Sequence, residues 1–142
     1  MISEVFIVQD ENSWCIDSDT TKHICKDKSC FKTYEAVEDG IFLYMGNSSK
    51  EQVLGKGSVM LEFTSGKFLT LNDVYHVPNI RKNLMTDSLL NRFGFSLVFE
   101  ANNVAISMLW VFVGKGYVCD GMFKLSINNT NNVATYLCDS FS

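Results

Sequence analysis

The stretch SVMLEFTSGKFLTL, residues 58–71, decides the fold class of this chain. Val59, Leu61 and Phe63 are separated by single residues, which is the period-two pattern of a β-strand. The tetrapeptide TSGK at residues 64–67 then leads into a second apolar run. A short glycine-containing connection between two such runs predicts a β-hairpin.

Similar short apolar runs, separated by Gly, Asn and Asp, lie on both sides of this hairpin. They predict further strands, each too short for a buried helix. Pro78 is the only proline and is placed to end one of them, because proline cannot donate to a sheet. The predicted strands are residues 5–8, 14–17, 41–45, 52–54, 58–63, 68–71, 73–77, 95–99, 104–106, 111–113 and 122–127.

One stretch, MTDSLLNRFG at residues 85–94, favours a helix. Thr86 or Asp87 can cap its start, and Leu89, Leu90 and Phe93 form a short apolar face that Gly94 ends. Many short strands and one short helix predict an all-β domain, built as a small barrel or a sandwich. We assign residues 1–127 to this domain and the Asn-rich residues 128–142 to a linker.

The composition fits a folded domain, since 46% of the 142 residues are hydrophobic and 20% are charged. A formal net charge of -4 argues against a nucleic-acid partner. The longest apolar run, residues 108–113, is far too short to cross a membrane, so we expect no membrane partner. Five cysteines in no regular framework predict free thiols in a reducing, cytoplasmic location. No motif suggests a cofactor.

Asp17 ends the predicted strand at residues 14–17 and is followed by Ser18 and a second carboxylate, Asp19. A carboxylate at the end of a buried strand suits general acid–base chemistry. Two aspartates can activate water when they share one proton. The chain offers a single such site, so a working pair would need a homodimer. The alternative, which the residues alone favour, is that Asp17 and Asp19 are ordinary turn residues.

The segment WCIDSDTTKHIC, residues 14–25, resembles the protease region of copia-type retrotransposon Gag-Pol polyproteins. An apolar strand with Trp, an Asp-Ser pair and a later His-x-Cys are its shared features. The resemblance continues through DVYHVPNIRKNL at residues 73–84, which is its most specific block, and VFVGKGYVCDGMFKL at residues 111–125. It extends to the end of the chain, where the tail resembles the lead-in to a pre-integrase region.

This resemblance implies a closed or partly open β-barrel of the retropepsin type. It implies an aspartic endopeptidase that processes the polyprotein, in virus-like particles if the element is active. Asp17 matches the catalytic aspartate and Ser18 the hydroxyl residue that follows it. The implied partners are polyprotein substrate segments and a second copy of the chain that contributes its own Asp17.

Three departures from the family pattern weaken the expectation of activity. Asp19 stands where the family has glycine, which is costly if the turn needs positive φ, and it adds charge near Asp17. We therefore predict little or no protease activity. The segment SMLW, residues 107–110, replaces a Gly/Asn-rich turn and would expose apolar side chains. Asp87 stands where the family often has a small residue.

Two competing features deserve comparison with this assignment. His23, Cys25 and Cys30 are zinc-type ligands, but a second ligand pair is missing, which favours buried thiols and a solvated histidine. The Gly-bounded segment at residues 45–57 fits either a mobile flap over a cleft or a plain hairpin, and we favour the hairpin. The principal alternative function is a non-catalytic β-barrel module of the same polyprotein.

Overall fold

The computed structural model describes residues 12–45 and 49–128. Those residues form twelve strands, one short 3-10 helix at Lys28–Cys30 and one α-helix, α1, at Asp87–Arg92. The strand predicted at residues 5–8 and nearly all of the Asn-rich tail lie outside the described residues. The strands are β1 Trp14–Ile16, β2 Ile24–Cys25, β3 Phe31–Ala36, β4 Phe42–Tyr44, β5 Lys50–Gln52, β6 Gly55–Glu62, β7 Phe68–His76, β8 Asn83–Met85, β9 Phe95–Phe99, β10 Asn103–Met108, β11 Val111–Cys119 and β12 Met122–Leu125.

Ten of these strands form one sheet, in the order β3-β6-β7-β2-β8-β1-β12-β11-β10-β9. Strands β4 and β5 form a separate antiparallel pair. The terminal strands of the large sheet, β3 and β9, are not paired with each other, so the sheet is open. The predicted all-β class with one short helix is therefore confirmed, and the barrel is of the open kind.

The hairpin predicted at residues 58–71 is confirmed as β6 and β7, which pair antiparallel. Its turn is closed by the Phe63 N–H, which donates to the Lys67 carbonyl at 2.9 Å, and Gly66 takes a φ of +88° there. Strand β7 is continuous, whereas we predicted two strands separated at Asn72. A register shift opposite Gly57 and Val59, with Asp73 at a φ of 56°, accommodates this join as a bulge.

The tripeptide GKG occurs twice, at residues 55–57 and 114–116, and both copies lie inside strands, β6 and β11. The glycines are there because neighbouring groups occupy the space of a side chain. A Cβ on Gly114 would lie 2.2 Å from the Phe63 ring, and one on Gly57 would lie 1.8 Å from the Thr33 carbonyl oxygen. These positions are therefore set by close packing and not by turns.

Three strands were not predicted from the sequence: β2, β3 and β8. Strand β8 lies between β1, with which it runs parallel, and β2, with which it runs antiparallel. Strands β2 and β8 have only two or three residues, too few to show a periodicity, and the six residues of β3 do not alternate between buried and exposed. The position of β8 between β1 and β2 places the end of β1 beside the start of α1.

Helix α1 begins and ends as predicted. Thr86 is its N-cap residue, and Gly94, with a φ of +95°, follows its last turn. Asp87 lies in the first turn, where a negative charge favours the helix dipole. Leu90 is buried but Phe93 is 57% exposed, so the apolar face is narrower than expected.

The chain builds one kind of hairpin turn twice, with very different residues. Asp120 and Gly121, with φ of 55° and 79°, join β11 to β12. Leu109 and Trp110, with φ of 51° and 70°, join β10 to β11. Positive φ at both central positions favours Asn, Asp and Gly. The expectation that SMLW exposes apolar surface is confirmed, because Leu109 is 84% and Trp110 100% exposed.

Copying the favourable turn into the unfavourable one should stabilise the domain. We expect the double substitution Leu109→Asp and Trp110→Gly to raise the free energy of unfolding by about 2 kcal/mol, since a left-handed non-glycine residue costs roughly 1–2 kcal/mol. Urea unfolding followed by circular dichroism measures the change. The matched control is the exchange Asp120→Leu with Gly121→Trp, which should destabilise. Equal stability of the first variant and the wild type would contradict the strain argument.

Candidate active site

Asp17 lies directly after β1, whose three residues are all buried. Its backbone N–H donates to the Met85 carbonyl at 2.8 Å, which continues the parallel pairing of β1 with β8 by one residue. Asp17 itself is half-buried, and Ser18 and Asp19 are exposed. The loop therefore leaves a buried, doubly paired strand and brings the Asp17 carboxylate to the surface.

Two hydrogen bonds within the loop fix the orientation of Asp17. Its Oδ1 accepts the Asp19 N–H at 2.9 Å, and its carbonyl oxygen accepts the Thr20 hydroxyl at 3.2 Å. The first bond makes the local Asx turn in which aspartate folds back on its own chain. Since the donor is a backbone N–H, any non-proline residue at position 19 can make this bond.

Asp19 is not among the described non-glycine residues that adopt positive φ, which are Asp73, Leu109, Trp110 and Asp120. The condition under which an aspartate would strain this turn is therefore not met in this chain. The remaining effect of Asp19 is the charge of its exposed carboxylate, two residues from Asp17. In a dimer that paired the two loops, four carboxylates would meet, and like charges disfavour joint ionisation.

His23 anchors the other end of the loop to the helix. It is 2% exposed, and its Nδ1 accepts the Thr86 N–H at 3.2 Å. Burial lowers the pKa of His23 from 6.5 to about 4, because the charged ring would lose its hydration. The expectation of a solvated histidine is wrong: His23 is a neutral, buried acceptor that ties residues 17–23 to the junction of β8 and α1.

The predicted zinc-type residues separate into two environments. Cys25 and Cys30 both donate to the Asp27 carbonyl, whereas His23 is held by Thr86. Within residues 12–45 and 49–128, His, Cys, Asp and Glu side chains form no group of three or more that could hold a metal ion. Cys15, Cys25 and Cys30 are present as thiols, as expected.

Two cavities lie on the surface of the described domain, and neither is lined by Asp17 or Ser18. One, of about 280 Å³, is a polar groove beside β3 and includes Glu35, Lys56 and Asp73. The other, of about 230 Å³, lies between α1 and β7 and is lined by His23 among apolar side chains. The half-buried Asp17 is therefore not part of the lining of either of these two cavities.

The segment at residues 45–57, described above as a flap or a hairpin, contains β5 and the start of β6. Strand β5 pairs with β4, and Val53, which follows it, is 2% exposed. Val53 packs in a small core with Cys15, Ile24, Val77 and Leu84, and Leu43 of β4 packs against that core. The β4–β5 hairpin therefore contacts the core beneath β1, β2 and β8, which are the strands that carry the Asp17 loop.

Met85 and Thr86 support the candidate site and were not recognised as such from the sequence. They hold Asp17 and His23 through backbone groups. Only the pairing of β8 with β1 brings them there, since Asp17 and Met85 are far apart in the chain. No local pattern in the sequence signals such a contact.

The fold and the site define the class of this protein. It is an all-β domain with an open sheet that carries an aspartate in the loop after a buried strand. Its family follows from the match of residues 14–95 to the family described as "Pol polyprotein, beta-barrel domain". The chain belongs to this family, and the expected resemblance to copia-type retrotransposon polyproteins is confirmed.

Three curated relatives are retrovirus-related Pol polyproteins. The chain is 29% identical over 114 residues to the polyprotein from transposon TNT 1-94 of Nicotiana tabacum, covering 80% of this chain and 8% of that protein. It is 35% identical over 75 residues to the one from transposon RE2 of Arabidopsis thaliana, covering 53% of this chain and 5% of that protein. It is 32% identical over 89 residues to the one from transposon RE1, also of Arabidopsis thaliana, covering 62% of this chain and 6% of that protein.

The chain thus spans less than a tenth of the length of these relatives. No solved structure matches it significantly. Across the part of the chain that the structure describes, no helix is both long and apolar enough to cross a membrane.

Proposed function

We propose that this chain is an aspartic-endopeptidase-like domain of a retrotransposon polyprotein, with activity reduced or lost through Asp19. The observation that carries the proposal is the placement of Asp17. A buried strand, paired on both sides, delivers its carboxylate to the surface in a fixed orientation. Fixed carboxylates are what an acid–base pair requires.

In this proposal two chains associate so that their Asp17 carboxylates face each other and share one proton. The deprotonated group takes a proton from water, and the water oxygen attacks the carbonyl carbon of a polyprotein peptide bond while the protonated group gives its proton to the carbonyl oxygen. The C–N bond then breaks as the pair returns a proton to the leaving nitrogen. Ser18 follows Asp17 as the hydroxyl residue of the family motif and is exposed. Such an assembly would act in the cytoplasm, and within virus-like particles if the element is active.

The charge of Asp19 supports the second half of the proposal. Its backbone N–H already orients Asp17, and its φ is unstrained, so the backbone of the site is intact. The added carboxylates would oppose both association of the two loops and the single negative charge of a working pair. Impairment through charge is reversible by substitution, whereas impairment through a collapsed loop would not be.

We expect Asp19→Gly to raise cleavage of a peptide mixture by at least about tenfold, which corresponds to roughly 1.4 kcal/mol of barrier. Mass spectrometry of the cleaved peptides between pH 5 and 7 measures it, and sedimentation reports the dimer. Asp19→Asn is the matched control: it removes the charge and keeps the Cβ, so it should also restore cleavage. Asp17→Ala in the Asp19→Gly background should abolish it.

The alternative function is a non-catalytic β-barrel module, which agrees with the description of the matched family as a beta-barrel domain. The same experiment separates the two. If Asp19→Gly and Asp19→Asn fold and form dimers yet cleave nothing, the protease assignment is overturned and the non-catalytic module stands. If the wild type cleaves as fast as both variants, the impairment is overturned instead.

A further inference from the structure

Cys25 and Cys30 are brought together by a tight corner between β2 and β3. Asp27 caps the 3-10 helix at Lys28–Cys30: its carboxylate accepts the Ser29 N–H at 3.0 Å and the Ser29 hydroxyl at 2.9 Å. The Cys30 N–H donates to the Asp27 carbonyl at 3.0 Å and completes the turn. The corner returns the chain on itself, so that the Cys25 thiol and the Cys30 N–H both donate to the same Asp27 carbonyl.

The two thiols are chemically unequal. Cys25 is fully buried, and its thiol also reaches the Asp27 carbonyl at 3.5 Å. Cys30 is only half-buried. The hydrogen bond from Cys25 lowers the pKa of the Cys30 thiol, although burial and Asp27 oppose this, and the same contact with burial raises the pKa of Cys25. Cys30 is therefore the accessible nucleophile, and Cys25 is a protected thiol held against it.

We propose that Cys25 and Cys30 form an oxidation site, in which the Cys30 thiolate attacks a peroxide and Cys25 then closes an intramolecular disulfide. The Cys30 thiolate displaces hydroxide from the peroxide and becomes a sulfenic acid. The Cys25 sulfur then attacks the Cys30 sulfur, the S–O bond breaks, and the oxygen leaves as water with the Cys25 proton. Overall, two thiols lose two electrons and two protons, and one hydrogen peroxide becomes two waters.

The geometry suits this closure. Both residues lie at the same Asp27 carbonyl, and a disulfide needs the two sulfurs to approach to about 2.05 Å. Closure would fix the corner through which β2 leads to β3, and β2 pairs with β7 and β8 in the middle of the sheet. The site does not depend on Asp17, so it holds whether or not the domain cleaves peptides.

Peptide mapping of the full chain tests the proposal. The reduced protein is treated with one equivalent of hydrogen peroxide, quenched with N-ethylmaleimide and digested with trypsin. Trypsin separates HICK, residues 23–26, from SCFK, residues 29–32. We expect these two peptides to become linked, and Cys30 to lose its thiol at least roughly tenfold faster than buried Cys15. Linkage of Cys30 to any other cysteine, or equal loss at Cys15, would overturn the proposal.

Two variants test the assigned roles. In Cys25→Ser, a dimedone probe should trap a sulfenic acid on Cys30, because no partner thiol remains to resolve it. In Cys30→Ser, Cys25 should stay reduced, because it is buried. Cys15→Ser is the matched control, which removes a buried thiol from β1 and should leave the Cys25–Cys30 link unchanged. Oxidation of Cys25 in the absence of Cys30 would show that the roles are wrong.

Discussion

Gly114→Ala is expected to lower the free energy of unfolding by about 3 kcal/mol, at the upper end of the usual cost of an inserted methyl group. The added Cβ would lie 2.2 Å from Phe63 Cδ1, far inside van der Waals contact. Phe63 is fully buried and belongs to the main core with Leu61 and Val113. Because its ring is surrounded, it cannot move away from the new methyl group without displacing its neighbours. Urea unfolding measures the loss.

A double-mutant cycle with Phe63→Leu separates this contact from the intrinsic preference of strands for alanine over glycine. Phe63→Leu alone should destabilise by creating space. Combined with Gly114→Ala, it should cost at least about 1 kcal/mol less than the two single effects together, because the smaller side chain relieves the overlap. Gly121→Ala is the comparison at a turn: a Cβ there meets nothing within 4 Å, so only its φ of +79° opposes it. Additive effects in the cycle would refute the packing argument.

The elements predicted correctly are those whose signal is local. The β6–β7 hairpin has alternation on one strand and a glycine turn, and α1 has a cap, an apolar residue at Leu90 and Gly94. The Asp120–Gly121 turn has residue types that tolerate the positive φ of its two central positions. The need for glycine at position 114 has no local signal: Gly114 is required by Phe63, far away in the sequence, and no rule on turns contains that information.

The candidate site also contains residues that have a local signal in the sequence and residues that have none. Asp17 is recognisable because an apolar strand precedes it and a hydroxyl residue follows it. The groups that hold its loop, Met85 and Thr86, are recognisable only once β8 is known to lie between β1 and β2. The cost of Asp19 could not be judged from the sequence either, because it depends on φ. The structure leaves charge, and not backbone strain, as the reason to expect impairment.

His23 should make the stability of the domain sensitive to mild acid. Its pKa is about 4 in the folded chain, because of burial, and near 6.5 when the chain unfolds. Between these pH values the unfolded chain binds a proton that the folded chain does not bind, so acidification favours unfolding. The contribution of His23 is complete above about pH 6.5, and about 3 kcal/mol of stability is lost as the pH falls to 4.

His23→Asn tests this expectation, because its amide oxygen can still accept the Thr86 N–H but does not titrate. The variant should be less stable than the wild type at pH 7 and should lose clearly less stability between pH 7 and 4 in urea unfolding experiments. His76→Asn is the control. Burial lowers the pKa of His76, but the Lys26 backbone and Asp27 raise it. His76→Asn should therefore reduce the loss of stability between pH 7 and 4 by less than His23→Asn does.

An equal dependence of stability on pH in wild type and His23→Asn would show that His23 is not buried in its neutral form.

The expected result also bears on the protease assignment. His23 ties the Asp17 loop to α1, so its protonation would release that loop in the acid range where a pair of carboxylates sharing one proton works. Cleavage by Asp19→Gly should therefore fall on the acid side together with loss of the fold, and combining it with His23→Asn should extend activity to lower pH.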